Sequence, residues 1–500
     1  MSELDPDVCF RALSTHDERF DGRLFVGVTS TGIYCRPVCP ARPAKRENCR
    51  FFASAAAAQE AGYRPCLRCR PELAPEAGQW RGASRTVSRA LALIAGGALD
   101  GEDASVDALA ERLGVGERQL RRLFRQHLGT SPIAVAQTRR VLFAKQLIHE
   151  TRLPMAQVAL ASGFGSIRRF NETFQQLFRR PPSALRRRES IEHAADALAA
   201  SGVTVRLPYR APYDWPAMLS HLRARAIDGV EQVDDATYRR TFAHAGTTGT
   251  VEIAHRPEAR SLAATIRLSC VRALPAIVAR IRRVFDLGAD VAAIGEHLAR
   301  DPLLAAEIAA RPGLRVPGGW DGFELAARAI LGQQVSVEAA RRLLGQLARA
   351  CGTQLPALPS SAPLPRLVFP SAEQVVPADL SALRAPEARR RALVAMAQAA
   401  LDDPHLFEPL ATLEQTVERL RSIRGVGEWT AQYIALRAAR EPDVARRERV
   451  GLLRGAAGDG ARPSPRALEA RAERWRPWRA YAAQHLWAAD AARSTPEEDR

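Results

Sequence analysis

The sequence predicts a multidomain α+β protein. Its modules are a cysteine-rich one over 1–76, a basic helical one over 82–186, a small strand-containing one over 203–286 and a larger helical one over 287–492. Three observations predict this. Five hundred residues exceed what one core organises, and at roughly 150 residues per domain imply three or four. Six of the eight cysteines fall in the first 69 residues. The apolar period switches from mixed to helical, then to alternating around Val203, Val205 and Leu207, and back to helical after about 287.

Composition narrows the function classes. Seventy-two Lys and Arg against 55 Asp and Glu leave a net charge of +17, which favours a polyanionic partner. Only Lys45 and Lys145 are lysines, a bias typical of a GC-rich gene, so arginine abundance alone says little. There is no run of about 18 apolar residues to span a membrane. The opening MSELDPDVCFRAL carries Asp5 and Asp7 and does not read as a secretory signal. The expected compartment is the cytoplasm, where clustered cysteines point to a metal or reactive-thiol site.

In the first module, β-alternation at Leu24, Val26 and Val28 leads through a Thr31-Gly32 turn to Cys35. Cys35-x3-Cys39 and Cys66-x2-Cys69 are two close pairs separated by a loop, the spacing that brings four thiolates around one tetrahedral Zn²⁺. The bland alternative is four buried structural thiols. Cys9 and Cys49 fall outside the pairing and read as small hydrophobes. The strings Thr31-Gly32-Ile33-Tyr34-Cys35-Arg36-Pro37-Val38-Cys39-Pro40-Ala41-Arg42 and Tyr63-Arg64-Pro65-Cys66-Leu67-Arg68-Cys69-Arg70 resemble the N-terminal domain of the Ada alkylation-response proteins. The resemblance implies one zinc on Cys35, Cys39, Cys66 and Cys69. It also implies that Cys35 is a nucleophile, taking a methyl group irreversibly from a methyl phosphotriester in DNA. Zinc would keep the sulfur a thiolate at neutral pH. Arg36, Arg42, Arg46 and Arg64 are candidates to hold the phosphate backbone. Four thiolates on Zn²⁺ repel DNA, so methylating one should tighten binding.

The second module reads as two helix-turn-helix units, Ser105–Gly114 with Glu117–Phe124 and Ala156–Gly163 with Ser166–Phe174, joined by a helix. Sixteen basic side chains face five acidic ones over 111–190. The second helix of each unit offers Arg118, Arg121 and Arg122, then Arg168 and Arg169, to successive major-groove segments. Val158-Ala159-Leu160-Ala161-Ser162-Gly163-Phe164, Arg169-Phe170-Asn171 and Phe178-Arg179-Arg180-Pro181-Pro182 resemble the AraC-type DNA-binding domain.

In the last two modules, Leu262, Ala264, Ile266 and Leu268 alternate as a strand, and Val337, Ala340, Leu344 and Leu347 recur at helical spacing as core. Leu420 to Ala431, with Gly425-Val426-Gly427, is a helix-hairpin-helix string that offers backbone N–H groups to a phosphate. With Arg328-Ala329-Ile330-Leu331-Gly332-Gln333-Gln334 before it and Arg474-Trp475-Arg476-Pro477-Trp478-Arg479 after it, it resembles the AlkA-type 3-methyladenine DNA glycosylases. That resemblance covers roughly 203–492 and implies a TATA-binding-protein-like α+β domain followed by an all-α glycosylase domain. It implies base flipping into an aromatic pocket lined by Tyr433 and Trp487, residues that would otherwise be core. It further implies Gln334 as a wedge in the duplex, and a monovalent cation at the carbonyls of Arg421, Ile423 and Val426.

One departure stands out. The family's catalytic Asp falls, by equal-length alignment, on Arg449. A cation ~4 Å from the developing sugar cation costs on the order of 4 kcal/mol at an effective dielectric of 20, roughly a thousandfold in rate. Glu448 is the neighbouring carboxylate that could substitute, and Asp443 lies too early. A local reading-frame excursion or a degenerate copy would explain the stretch. There is no Pro-Cys-His-Arg string, so the O6-methylguanine-accepting domain of many Ada proteins is not expected. The expected function is an adaptive response to DNA alkylation, with Cys35 as sensor, promoter activation by the helix-turn-helix block, and excision of alkylated purines. The expected partners are double-stranded DNA, both alkylated and promoter, and RNA polymerase, with the chain acting as a monomer. The alternatives are a regulator whose glycosylase-like half only binds DNA, and a zinc-stabilised DNA-binding protein without methyl transfer.

Overall fold

The structure, a computed structural model, describes residues 5–75, 85–101, 104–186, 202–356, 364–408, 410, 412–438, 443, 450–457 and 461–494. In chain order the first elements are α1 (Pro6–Ser14), β1 (Phe25–Val28), β2 (Ile33–Cys35), β3 (Cys49–Phe52), α2 (Ala55–Glu60) and β4 (Arg64–Pro65). Six helices follow: α3 (Arg85–Ala95), α4 (Val106–Arg112), α5 (Glu117–Leu128), α6 (Pro132–Glu150), α7 (Met155–Ala161) and α8 (Ile167–Phe178). Next come β5 (Val203–Pro208), α9 (Trp215–Arg223), β6 (Glu231–Val233), β7 (Thr237–His244), β8 (Thr247–Arg256) and β9 (Ser261–Leu268). The chain continues with α10 (Leu274–Val284), α11 (Val291–Leu298), α12 (Pro302–Ala310), α13 (Gly322–Leu331) and α14 (Val337–Cys351). After the short β10 (Thr353–Gln354) and β11 (Leu367–Val368) come α15 (Ala372–Val375), α16 (Glu387–Asp402), α17 (Leu413–Arg421) and α18 (Glu428–Arg437). The last are α19 (Val450–Ala457), α20 (Pro465–Ala472) and α21 (Arg479–Ser494).

Two compact units form. One holds Met1–Tyr209 and Ala243–Ala279, the other Arg210–Phe242, Arg280–Ala357 and Pro363–Arg500, so the chain changes unit within β7 and again within α10.

In the first unit the sheet order is β3-β1-β2-β4. β1 is antiparallel to β2 and β3, while β2 and β4 run parallel with Ile33 opposite Arg64 and Tyr34 opposite Pro65. That parallel register brings the end of β2, at Cys35, beside the end of β4, just before Cys66. Cys9 and Cys49 are buried with Leu13, Leu24 and Val26, as small hydrophobes should be. Helices α4–α5 and α7–α8 are the two expected helix-turn-helix units, with the 19-residue α6 between them. Their turns put Gly114 at φ 68° and Gly163 at φ 83°, a backbone region that favours glycine. At Gly163 space is limiting too. A Cβ there would meet the Asp100 carboxylate at 2.6 Å, and Arg139 and Arg140 hold that carboxylate at 2.9 and 2.7 Å. The second unit of the pair is anchored by the aromatic ladder Phe164, Phe170, Phe174 and Phe178, with successive ring centroids 5.2, 4.8 and 5.4 Å apart. Burial of such a ring stabilises by about 1.5–3 kcal/mol. The alternation read at 203–207 and 262–268 is real, since β5 and β9 pair antiparallel with Val205 opposite Ala264, and β8 covers the other edge of β9.

The second unit has two apolar cores. One packs α13, α14, α16, α17 and α18 around Ile330, Leu347, Leu393, Met396 and Ile434. The other packs α11, α12, α19 and α21 around Leu298, Leu304, Leu453 and Leu486. Arg328 is a structural residue here. It donates to Glu231 at 2.5 Å, Glu324 at 2.8 Å and the Arg225 carbonyl at 2.7 Å, which ties α13 to β6. One expectation fails: Val337 does not join Leu344 and Leu347 in the core but is 45% exposed, because α14 starts there and its first turn projects beyond the packed layer.

Candidate metal centre and nucleic-acid interface

The Sγ atoms of Cys35, Cys39, Cys66 and Cys69 all lie within 4.8 Å of one another. Sulfurs around a tetrahedral zinc stand about 3.8 Å apart when each bond is ~2.3 Å, so the quartet fits one such ion. Two backbone N–H groups already face the sulfurs, Arg36 N to Cys69 at 3.4 Å and Arg68 N to Cys66 at 3.3 Å, as thiolates require. Cys39, Cys66 and Cys69 are 3%, 6% and 7% exposed, whereas Cys35 is half-buried and is the member that solvent reaches. Donation to Cys39, Cys66 and Cys69 pushes Cys35 up, and hydrogen bonds from Cys35, Cys39 and Cys69 hold Cys66 well below the thiol range.

The four arginines expected to grip phosphate divide. Arg36 is turned inward, with Nε 2.8 Å from Asp21 Oδ1 and Nη1 3.1 Å from the Cys69 carbonyl, and its side chain is 15% exposed. It braces the cysteine loops and does not present itself to a phosphate. Arg46 lies over the rings of Phe10 and Phe51, at 5.9 and 5.3 Å, and faces Asp7 at 3.6 Å. Arg42 is exposed and Arg64 half-buried, and neither has an ion pair among the described residues. Arg68, exposed in the spacer between Cys66 and Cys69, was missed, although its place inside the ligand loop was a signal.

On the helix-turn-helix units, Arg118, Arg122, Arg168 and Arg169 are exposed. Arg121 is held by Glu117 at 2.5 Å, Arg168 by Glu172 at 2.8 Å, and Arg122 reaches Gln119 at 2.8 Å. Arg118 and Arg169 have no acidic mate among the described residues. At the start of α8, Gly165 to Arg169 are all exposed, including Ile167 at 46%.

In the second unit, the turn between α13 and α14 exposes Gln334 at φ 53°, a strained position for a non-glycine residue, followed by exposed Val335. Gln333 fastens this turn to the hairpin, donating to Thr430 Oγ1 at 2.9 Å and to the Gly425 carbonyl at 3.4 Å. Gly425 takes φ 84°, and a Cβ there would lie 2.5 Å from Ala392 Cβ. Gly427 caps α18 without a side chain, has nothing within 4 Å of an added Cβ, and leaves the first-turn N–H groups open to an anion. Of the carbonyls considered for a cation, that of Ile423 accepts Val426 N–H at 3.1 Å. Tyr433 is half-buried and stacks on Trp429, with centroids 5.6 Å apart, against the first core. Trp487 is half-buried against the second core. Glu448 and Arg449 lie outside the described residues. Gly451, two positions later, does not: a Cβ there would be 3.6 Å from the Trp487 ring and 3.1 Å from Asp490 Oδ2. Asp443 is fully engaged, buried under Arg476 and Arg479, with Arg479 Nε at 2.8 Å. The tryptophans of the 474–479 string serve packing, and Trp475 Nε1 donates to Asp301 at 2.8 Å.

Three stretches match known families: the metal binding domain of Ada over residues 8–72, a helix-turn-helix domain over 109–188, and the AlkA N-terminal domain over 204–321. The probable bifunctional transcriptional activator/DNA repair enzyme AlkA of Mycobacterium tuberculosis is 40% identical over 483 residues, 97% of this chain and 96% of that protein. The chain belongs to this bifunctional activator/repair family. Within it, the repair arm is similar to DNA-3-methyladenine glycosylase 2 of Escherichia coli, 34% identical over 284 residues, 56% of this chain and 95% of that enzyme. The 3-methyladenine DNA glycosylase of Archaeoglobus fulgidus shares its fold, with a TM-score of 0.51 at 19% identity over 58% of this chain and 99% of that one. As a member of the bifunctional family the chain therefore combines a zinc-binding module, an AraC-type DNA-binding block and a helix-hairpin-helix repair fold.

Proposed function

We propose that the chain senses alkylated DNA through Cys35, activates promoters through α5 and α8, and excises alkylated purines with its C-terminal half. The observation that carries the sensing arm is the asymmetry of the quartet, three buried sulfurs and one that solvent reaches. The Cys35 sulfur attacks the methyl carbon of a phosphotriester. The S–C bond forms, the C–O bond breaks, and its electron pair returns to the phosphate oxygen, leaving an anionic diester. Bound zinc would supply the thiolate form of the sulfur at neutral pH. Arg42, Arg64 and Arg68 hold the flanking phosphates, while Arg36 keeps the ligand loops in place. The transfer removes one negative charge from a DNA-facing cluster, and the methylated protein binds promoters more tightly and recruits RNA polymerase. We place it in the cytoplasm as a monomer.

In the repair arm, Gln334 wedges the duplex open. The flipped, positively charged purine stacks on Tyr433 and Trp487. Glu448 supplies the carboxylate, and the hairpin carbonyls of Arg421, Ile423 and Val426 hold a monovalent cation against a phosphate. A second reading is favoured by Arg449 in the catalytic position, with Asp443 clamped and so unable to replace it. In that reading the repair fold binds DNA without excision. Release of 3-methyladenine from methylated DNA decides between them. Release by the wild-type protein that Glu448→Gln abolishes supports excision. No release, with recovery in Arg449→Asp, supports the binding-only reading.

A further inference from the structure

The cysteine loop ends in an ionic junction that the methyl-transfer chemistry does not need. Directly after the ligand Cys69, Arg70 adopts φ 53° and reaches Glu72 at 3.0 Å and Glu150, at the end of α6, at 2.9 Å. Glu72 accepts from Lys145 Nζ on α6 at 2.5 Å, with His149 Nδ1 3.7 Å from its other oxygen. Lys145 is completely buried and the Glu72 side chain is 1% exposed. Glu150 also accepts the backbone N–H of Arg206 at 3.0 Å, and Gln146 donates to the Arg206 carbonyl at 2.6 Å, so β5 joins the same end of α6. A second joint, made of hydrogen bonds without an ion pair, lies nearby. Ser54 Oγ donates to the Leu128 carbonyl at 2.8 Å, and Thr130 Oγ1 to Glu60 at 2.8 Å.

Burying four charges is a poor way to gain stability, because desolvation offsets most of the attraction. A packed apolar contact would hold two modules together as firmly. What a buried ion cluster supplies is a single geometry, since every other register strands a charge. The residue choice sharpens this. Lys145 is one of two lysines in the chain, and it places a compact ammonium in a slot with no exposure.

We infer that Glu72 and Lys145 are positioning residues that lock the zinc-ligand loop onto α6, so that a change of charge at Cys35 is felt by the helix-turn-helix block as one rigid body. Without the lock, the Ser54, Thr130 and Arg70 contacts still tether the cysteine module but leave its orientation on α6 less defined, and the charge at Cys35 biases the DNA-reading helices more weakly. The inference rests on the proposed role of Cys35.

The test uses the full-length zinc-loaded chain and the double variant Glu72→Gln/Lys145→Met, which removes both charges and leaves neither unpaired. Cys35 is methylated directly with iodomethane, so the measurement does not depend on phosphotriester chemistry. That chemistry is scored separately, by mass after incubation with methylated DNA. Binding to one promoter duplex is compared before and after methylation. In the wild type, removing one negative charge near a phosphate is expected to raise affinity roughly tenfold or more, and in the double variant the gain shrinks to below about twofold. Zinc content, thermal transition and the rate of Cys35 methylation stay at wild-type values. A double variant that retains zinc and fold and keeps the full gain overturns the inference. So does a wild type whose affinity ignores iodomethane modification of Cys35. Failure of phosphotriester transfer with a normal iodomethane response removes the proposed sensing chemistry and leaves the lock standing.

Discussion

Gly425→Ala is expected to cost the repair fold about 2–5 kcal/mol, and the structure supplies both parts of that figure. The position sits at φ 84°, where an L side chain costs about 1–2 kcal/mol. Its Cβ would stand 2.5 Å from Ala392 Cβ, far inside the ~3.5–4.0 Å of ordinary carbon contact. Overpacking of that kind costs typically 1–3 kcal/mol, and α16 cannot retreat because Leu393 and Met396 beside Ala392 are fully buried. Gly427→Ala, two residues away, is the control. It has φ −78° and nothing within 4 Å, so it should cost no more than about 1 kcal/mol in the fold while crowding the phosphate site. Native-state hydrogen exchange of the α18 amides reads the local stability of the hairpin in a multidomain chain. Gly425→Ala should lower their protection by one to a few orders of magnitude and Gly427→Ala by at most one. Combining Gly425→Ala with Ala392→Gly should recover the contact share but not the backbone share. Equal losses at 425 and 427, or full recovery in the double variant, would refute the reasoning.

The zinc module separates support from contact. Arg36→Ala strands the buried Asp21 carboxylate and should cost about 3–5 kcal/mol, seen as faster zinc loss to a chelator. Arg42→Ala and Arg68→Ala should leave zinc retention alone and each lower the salt slope of DNA binding by about one. Gln334→Gly should leave stability unchanged or raise it by up to about 1 kcal/mol, by relieving a left-handed non-glycine residue, while weakening binding to damaged duplex. Asp301 is held at about 2 by Arg471, with Trp475 adding a hydrogen bond. Its folded value lies below the ordinary one, so its contribution is present above about pH 4 and lost as pH falls toward 2. Asp301→Asn should remove about 1–2 kcal/mol of that acid dependence in unfolding of the second unit.

Much of this was legible in the sequence, for physical reasons. Zinc ligands must come in close pairs, so Cys35, Cys39, Cys66 and Cys69 announced themselves, and turn glycines at 114 and 163 are needed wherever φ is positive. Alternation exposed β5 and β9 because a half-buried strand requires it. The misreadings share a cause. Arg36 looked like every other arginine in a basic chain, since its mate Asp21 is 15 residues away and only the fold brings them together. Val337 satisfied a helical stripe, but a stripe does not say where the packed layer ends. Lys145 was one of sixteen basic side chains counted over 111–190, and nothing local hinted that Glu72 and α6 would bury it. Gln334 was singled out only through family resemblance, while its strained backbone was visible only in three dimensions.

The proposed sensing function rests on methyl transfer to Cys35. Zinc-loaded protein incubated with DNA bearing methyl phosphotriesters should gain a single methyl group, located by peptide mass spectrometry on Cys35 and absent from Cys39, Cys66 and Cys69. An unchanged mass, or a methyl on one of the three buried cysteines, would contradict it.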